Sequence, residues 1–148
     1  MPNWCSNTVT VEHSDATMID KFEAAVRNGD LFQTFLPLEE WVYDDAVAAW
    51  GTKWDISNGG IIERMMPEVL AVCFDTAWCQ PTAFYDELME QGFTVNAQFF
   101  EPGVGFVGQY VNGEELVFDI DPEDLSNIPE DLNEQWGIAD MFEDWDAD

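Results

Sequence analysis

Past Arg64 the chain carries no Lys, Arg or His: residues 65–148 hold twenty carboxylates and no cation. Any fold of that half must keep its carboxylates in water and take its core from apolar side chains alone. Those are plentiful. Over 148 residues, 47% are apolar and 14% aromatic, enough for one domain that buries roughly two thirds of its unfolded surface and too many for a disordered chain. The first 64 residues add eleven acids against Lys21, Arg27, Lys53 and Arg64, and the formal charge is −27. Such a surface repels nucleic acid and anionic membrane and attracts basic proteins. Direct nucleic-acid binding is excluded on that ground. Cys5, Cys73 and Cys79 are an odd set without framework spacing, which reads as reduced thiols. No basic leader opens the sequence and no run reaches the ~20 apolar residues of a membrane span, so a soluble cytoplasmic protein is expected.

Periodicity sets out the elements. Alternation from Cys5 onward, with Val9 and Val11 on one side and Thr8, Thr10 and Glu12 on the other, predicts a half-buried strand. Ser14 caps a helix with Met18, Phe22, Ala25 and Val26 at helical spacing, stopped by Asn28-Gly29. Leu31 to Trp41 is an irregular apolar segment broken by Pro37, and a short helix over Tyr43 to Trp50 ends at Gly51. A second short strand follows Asp55, and Asn58-Gly59-Gly60 signals a turn. Glu68 to Phe74 is an apolar strand. Pro81 opens a helix with Phe84, Leu88 and Met89 on one stripe, ended by Gly92. Strands at Phe93–Phe100, Gly105–Val111 and Glu115–Ile120 complete the series, the last two joined by the hairpin signal Asn112-Gly113. The order predicts an α+β fold: a ferredoxin-like split βαβ antiparallel sheet with two helices on one face, extra C-terminal strands and an acidic helical C-terminus. The expected division is residues 1–120 as the sheet domain and 121–148 as an acidic amphipathic extension, packed on it or projecting from it.

Three motifs then stand out in order: Met1-Pro2-Asn3-Trp4-Cys5-Ser6-Asn7, Trp50-Gly51-Thr52-Lys53-Trp54-Asp55, and Phe74-Asp75-Thr76-Ala77-Trp78 with Pro81. Together they resemble the YubB-type proteins of phages and conjugative plasmids over roughly residues 1–115. The resemblance implies a ferredoxin-like domain, a mobile-element origin and action inside the host cell, where small acidic proteins often oppose defence systems. It carries no assigned chemistry onto any residue.

Trp4, Trp50, Trp54 and Trp78 have two readings: packing under loops and between helix and sheet, or a surface cluster for a ligand or partner. Lys53 either stacks on a neighbouring ring or pairs with a carboxylate. A zinc site is not supported, since His13 is the only histidine and no Cys-x-x-Cys occurs; an activated cysteine would need a basic neighbour that the sequence does not supply. Asp119-x-Asp121-x-Glu123-Asp124 lacks the glycine of a calcium loop and reads better as a helix start of cap, proline and first-turn acids, a logic repeated at Ser126–Asp131 for a final helix. No metal, cofactor or catalytic residue is assigned.

The candidate partner-binding residues are Asp119, Asp121, Glu123, Asp124, Glu130, Asp131, Glu134, Asp140, Glu143, Asp144, Trp145 and Asp146. Ile138, Met141, Phe142 and Trp145 follow one helical face. A helix over 129–148 would carry its carboxylates at about one per 3.7 Å along the axis, close to the ~3.4 Å phosphate spacing of a DNA strand. The expected function is therefore a non-enzymatic phage- or plasmid-encoded inhibitor, of anti-restriction or anti-CRISPR type, that mimics nucleic acid toward a basic nucleic-acid-binding protein of the host. The alternatives are a structural or adaptor module, self-associating as a homodimer, whose acidity only solubilises or is halophilic, and a carboxylate-dependent hydrolase.

Overall fold

The computed structural model describes residues 3–121 and 123–138. Its centre is β1 (Trp4–Glu12), which is flanked on both sides by antiparallel partners, β3 (Val69–Ala77) and β4 (Thr94–Glu101). Val9 faces Val72 on one neighbour and Ala97 on the other, so the alternation read from the sequence becomes a three-strand apolar stripe. Outward from this trio lie β2 (Ser57–Met66) on one side and β5 (Phe106–Val111) and β6 (Glu114–Asp119) on the other. The six strands run in the order β2-β3-β1-β4-β5-β6, antiparallel throughout. The fold is α+β, an open sheet with five helices among the described residues.

Four helices cover one sheet face: α1 (Ala16–Asn28), α2 (Leu31–Phe35), α3 (Tyr43–Trp50) and α4 (Thr82–Glu90). Their buried residues, among them Ile19, Phe22, Phe32, Trp50, Phe84 and Leu88, share one core with Val9, Val11, Leu70, Val72, Val95 and Tyr110 of the strands. A second, smaller core lies on the opposite face. Phe100 and Val107 alternate away from Ala97 and Tyr110, and against them pack Ile128, Leu132 and Ile138 with Phe118, Ile120, Leu125 and Trp136. The last described helix, α5 (Glu130–Trp136), ends at Gly137 in the left-handed conformation. Each side chain fully buried there contributes roughly 1.5–3 kcal/mol, so the acidic segment is held down by its own apolar residues up to position 138.

Several local expectations are corrected. The α1 cap is Asp15 rather than Ser14: its carboxylate accepts from the Thr17 N–H at 3.0 Å. Leu31–Phe35 is helical. Asn58-Gly59-Gly60 is no turn but part of β2, whose register with β3 shifts between Ser57 and Gly60; a Cβ on Gly59 would stand 2.8 Å from the Val26 carbonyl of α1, so glycine serves close helix approach there. No helix starts at Asp121. Residues 123–128 form turns, in which Asp121 accepts from the Glu123 N–H at 2.9 Å and Asp124 from the Ser126 N–H at 3.0 Å, the local side-chain bonding that competes with helix. Pro129 and the acids Glu130 and Asp131 do open the last helix. Among the described residues, no helix is long and apolar enough to cross a membrane.

Candidate functional site: a tryptophan patch over a knitted loop pair

The second and third sequence motifs come together beside the end of β3, in the loops 51–56 and 78–81. Each residue of Trp50–Asp55 has a distinct task. Trp50 is buried and donates its indole N–H to the Leu36 carbonyl at 2.9 Å. Gly51 closes α3, its N–H bonded to the Val47 carbonyl, and its own carbonyl takes the Cys79 S–H at 3.1 Å. Thr52 is buried and donates to the Ala77 carbonyl at 2.8 Å. Asp55 accepts from the Phe32, Gln33 and Ile56 N–H groups at 2.8–2.9 Å, capping α2 from outside its own chain segment. With those four residues tied inward, Lys53 and Trp54 are left facing out.

The first motif buttresses this arrangement from below. Asn7 is buried; its amide donates to Thr76 Oγ1 at 3.0 Å and to the Cys5 carbonyl at 3.1 Å, and its oxygen accepts from the Tyr85 hydroxyl at 3.3 Å. Thr76 in turn donates to the Cys79 carbonyl at 2.6 Å. A buried polar chain thus runs from α4 through β1 and β3 into the loop, with its donors and acceptors matched as burial requires. Burial pushes the Cys5 thiol well up, with the nearby Cys79 and Glu101 adding to the effect. Cys79 is raised by burial and by Glu115. Both are held as thiols, and Tyr85 is kept neutral by burial.

On this base stands an exposed aromatic group. Trp41 is 52% exposed, Tyr43 55%, Trp54 39% and Trp78 44%. The Trp41 indole N–H donates to the Lys53 carbonyl at 2.7 Å, and Trp4 lies against Trp54 with ring centroids 6.2 Å apart. The Lys53 ammonium sits 4.2 Å from the Trp54 ring centre and 5.9 Å from that of Trp78. Tyr43, Val47, Thr52, Lys53, Trp78 and Cys79 line a notch of about 140 Å³. Trp78 itself has φ 72°, and the Cys79 N–H bonds to the Ala77 carbonyl at 2.9 Å, closing a three-residue γ-turn around it. That conformation is costly for a bulky L-residue, on the order of 1–3 kcal/mol. It is held by the Trp78 N–H donating to the Asn3 carbonyl at 2.8 Å.

Comparison with protein-family models, curated proteins and solved structures finds no match.

The carboxylates singled out in the sequence lie elsewhere. Asp119 ends β6; Asp121, Glu123 and Asp124 follow in the turns; Glu130, Asp131 and Glu134 lie on α5; all seven are exposed. Asp140, Glu143, Asp144, Trp145 and Asp146 lie outside the described residues. Among the described residues the ion pairs are Arg27–Glu23, Arg64–Asp20 and Arg64–Glu23, all at α1, so none of the seven is paired. Ile138, the first member of the expected apolar helical face, is buried in the smaller core. Trp41, Tyr43 and Val47 were missed as site residues. Their signal was present in Glu39-Glu40-Trp41-Val42-Tyr43-Asp44-Asp45, where acids flank aromatics within one stretch.

Proposed function

We propose that this chain is a non-enzymatic interaction protein that presents an anionic surface in place of a nucleic-acid backbone and occupies the basic channel of a nucleic-acid-binding protein. One observation carries the reading. Seven carboxylates between positions 119 and 134 are exposed and outside every ion pair among the described residues, while the apolar residues interleaved with them turn onto the sheet. A purely solubilising tail needs no such anchoring; a surface whose charges must keep fixed spacing does. The strand order β2-β3-β1-β4, with α1 and α4 between the strands, supports a ferredoxin-like core to which β5, β6 and the acidic segment are additions. The three motifs that resemble YubB-type proteins favour a phage or plasmid origin and a target in the host cytoplasm that belongs to a defence system.

The test is capture of a basic host protein followed by salt titration and competition with duplex DNA. Binding is expected to weaken at least ~10-fold between about 50 and 500 mM salt and to be displaced by DNA. Charge reversal at Glu130, Asp131 and Glu134 should weaken it further than reversal at Asp20. Salt-independent binding that DNA does not displace would refute the mimic. A second reading, a self-associating adaptor, is favoured by the regular edge strand β6 with Leu116 and Val117 exposed; a dimer mass in solution, lost on replacing both residues by Lys, would support it instead.

A further inference from the structure

The tryptophan patch is remote in sequence from those carboxylates, and the mimic reading does not use it. We infer that it is a second contact surface, an anchor for an arginine-bearing segment of a protein partner. The inference rests on the proposed function only for the sign of the partner's charge.

Four observations converge on it. First, four large aromatic side chains lie exposed together, although the domain has a well-filled core elsewhere; clustered exposed aromatics of this kind mark contact sites rather than leftover surface. Second, the loops beneath are fixed by the buried Thr52 hydroxyl donating to the Ala77 carbonyl and by two part-buried bonds, Asp55 accepting from the Phe32 N–H and Thr76 donating to the Cys79 carbonyl, so the rings are presented without the ordering cost that a floppy loop would add on binding. Third, Trp78 is held in a strained positive-φ turn and is 44% exposed as a residue. Strain sustained to bring an indole outward is not accounted for by packing. Fourth, Glu39, Glu40, Asp44 and Asp45 are exposed along the stretch that carries Trp41 and Tyr43, and none has an ion-pair partner among the described residues. An aromatic centre with a charged rim is the anatomy of a protein interface.

The occupant follows from size and charge. A notch of about 140 Å³ is well below the ~300 Å³ of small-molecule pockets and suits a single side chain. Nucleic acid and acidic segments meet four rim carboxylates and gain one ammonium; a basic segment gains all four. Lys53 shows the affinity of these rings for a cation, since it already lies over Trp54 and Trp78. A guanidinium is planar and more weakly hydrated than an ammonium, so it stacks on indole with less loss of hydration. On binding it displaces Lys53 outward, toward the rim carboxylates.

Lys53 therefore gives the test its sign. The full-length protein is titrated at about 150 mM salt with two synthetic octapeptides, one alternating Arg and Leu, the other Glu and Leu, while the indole N–H resonances are followed by NMR. The Arg peptide is expected to shift the Trp41, Trp54 and Trp78 signals. Trp41→Ala should weaken it at least ~10-fold, and so should the combined Glu39→Gln, Glu40→Gln, Asp44→Asn and Asp45→Asn variant, which changes only the rim. Lys53→Ala should tighten it several-fold. Preference for the Glu peptide, or weakening by Lys53→Ala, overturns the inference in favour of an acidic partner. Arg-peptide binding abolished by Glu130→Gln, Asp131→Asn and Glu134→Gln but untouched by Trp41→Ala overturns the inference and leaves the nucleic-acid mimic standing. Patch binding to the Arg peptide with a captured target that DNA does not displace does the reverse.

Discussion

Removing the Asp55 carboxylate should unseat both the loop that carries Lys53 and Trp54 and the start of α2. Its oxygens accept three backbone N–H groups, from Phe32, Gln33 and Ile56. In Asp55→Ala the Gln33 N–H, which is exposed, recovers a bond to water at little cost. The other two are partly buried and lose about 1 kcal/mol each. That total, about 2 kcal/mol, matches the loss of a strong helix cap. For a chain of this size a urea slope of about 2 kcal/mol/M turns it into a midpoint lower by about 1 M. Asp55→Asn keeps one acceptor oxygen but turns an amide toward the third N–H, so its loss should be smaller. Burial holds the Asp55 carboxyl above its ordinary value, outweighing the three N–H donors, with Asp30 adding to the rise. A native state that holds the proton more tightly than the unfolded one is most stabilised below the unfolded value, near ~3.9, and loses that increment as pH rises through the native value. The advantage of the wild type over Asp55→Asn should therefore be largest near pH 3.5 and shrink toward pH 7. Midpoints for Asp55→Ala and wild type within about 0.2 M of each other at pH 7 would refute the capping argument, and an advantage that grows with pH would refute the burial argument.

Two further perturbations test the cores. A Cβ at Gly108 would run into the Leu116 carbonyl of β6 and stand 2.6 Å from Phe99 Cζ; Gly108→Ala should cost ~3 kcal/mol or more by overpacking, read as a thermal midpoint shift of many degrees. Leu132 is buried in the smaller core, and Leu132→Ala should cost ~2–5 kcal/mol of local stability, seen as faster hydrogen exchange at the α5 and β6 amides while the β1–β3 ladder keeps its protection.

Much of the sheet was legible because its signals are local. The two-fold alternation of β1 and the helical stripe of α1 each depend on one element's own burial. Asn112 and Gly113 both take positive φ, the demand their hairpin makes on sequence. What could not be read was set by a neighbour. Gly59 looks like a turn residue until α1 is laid across it, and Asp55 looks like a surface acid until α2 is placed over its oxygens. The tryptophans divide in the same way. Trp50 is core while Trp54, four positions on, is surface, because a loop has no period to say which side faces in. A lysine among so many acids favours a carboxylate partner over a ring, yet Lys53 stacks on Trp54 and joins no ion pair among the described residues. The carboxylates 119–134 are legible as exposed charge, but the turns that position Asp121 and Asp124 are not, since Asp121 before Pro122, and Asp124 two residues before Ser126, suit a helix start as readily as an Asx turn.

Strands β4 and β5 hold two cores back to back, Ala97 and Tyr110 toward the helices and Phe100 and Val107 toward the acidic segment. Among the described residues the two cores share no side chain, and the layer on the second side adds no strand to the ladder after β6. A core this small is expected to open at a lower free energy than the sheet and helices beneath it, which the Leu132→Ala exchange pattern reads directly. The protein thus carries the carboxylates of 121–134 and the smaller core in one layer, whose seat on Phe100 and Val107 sets how those charges are spaced toward a partner.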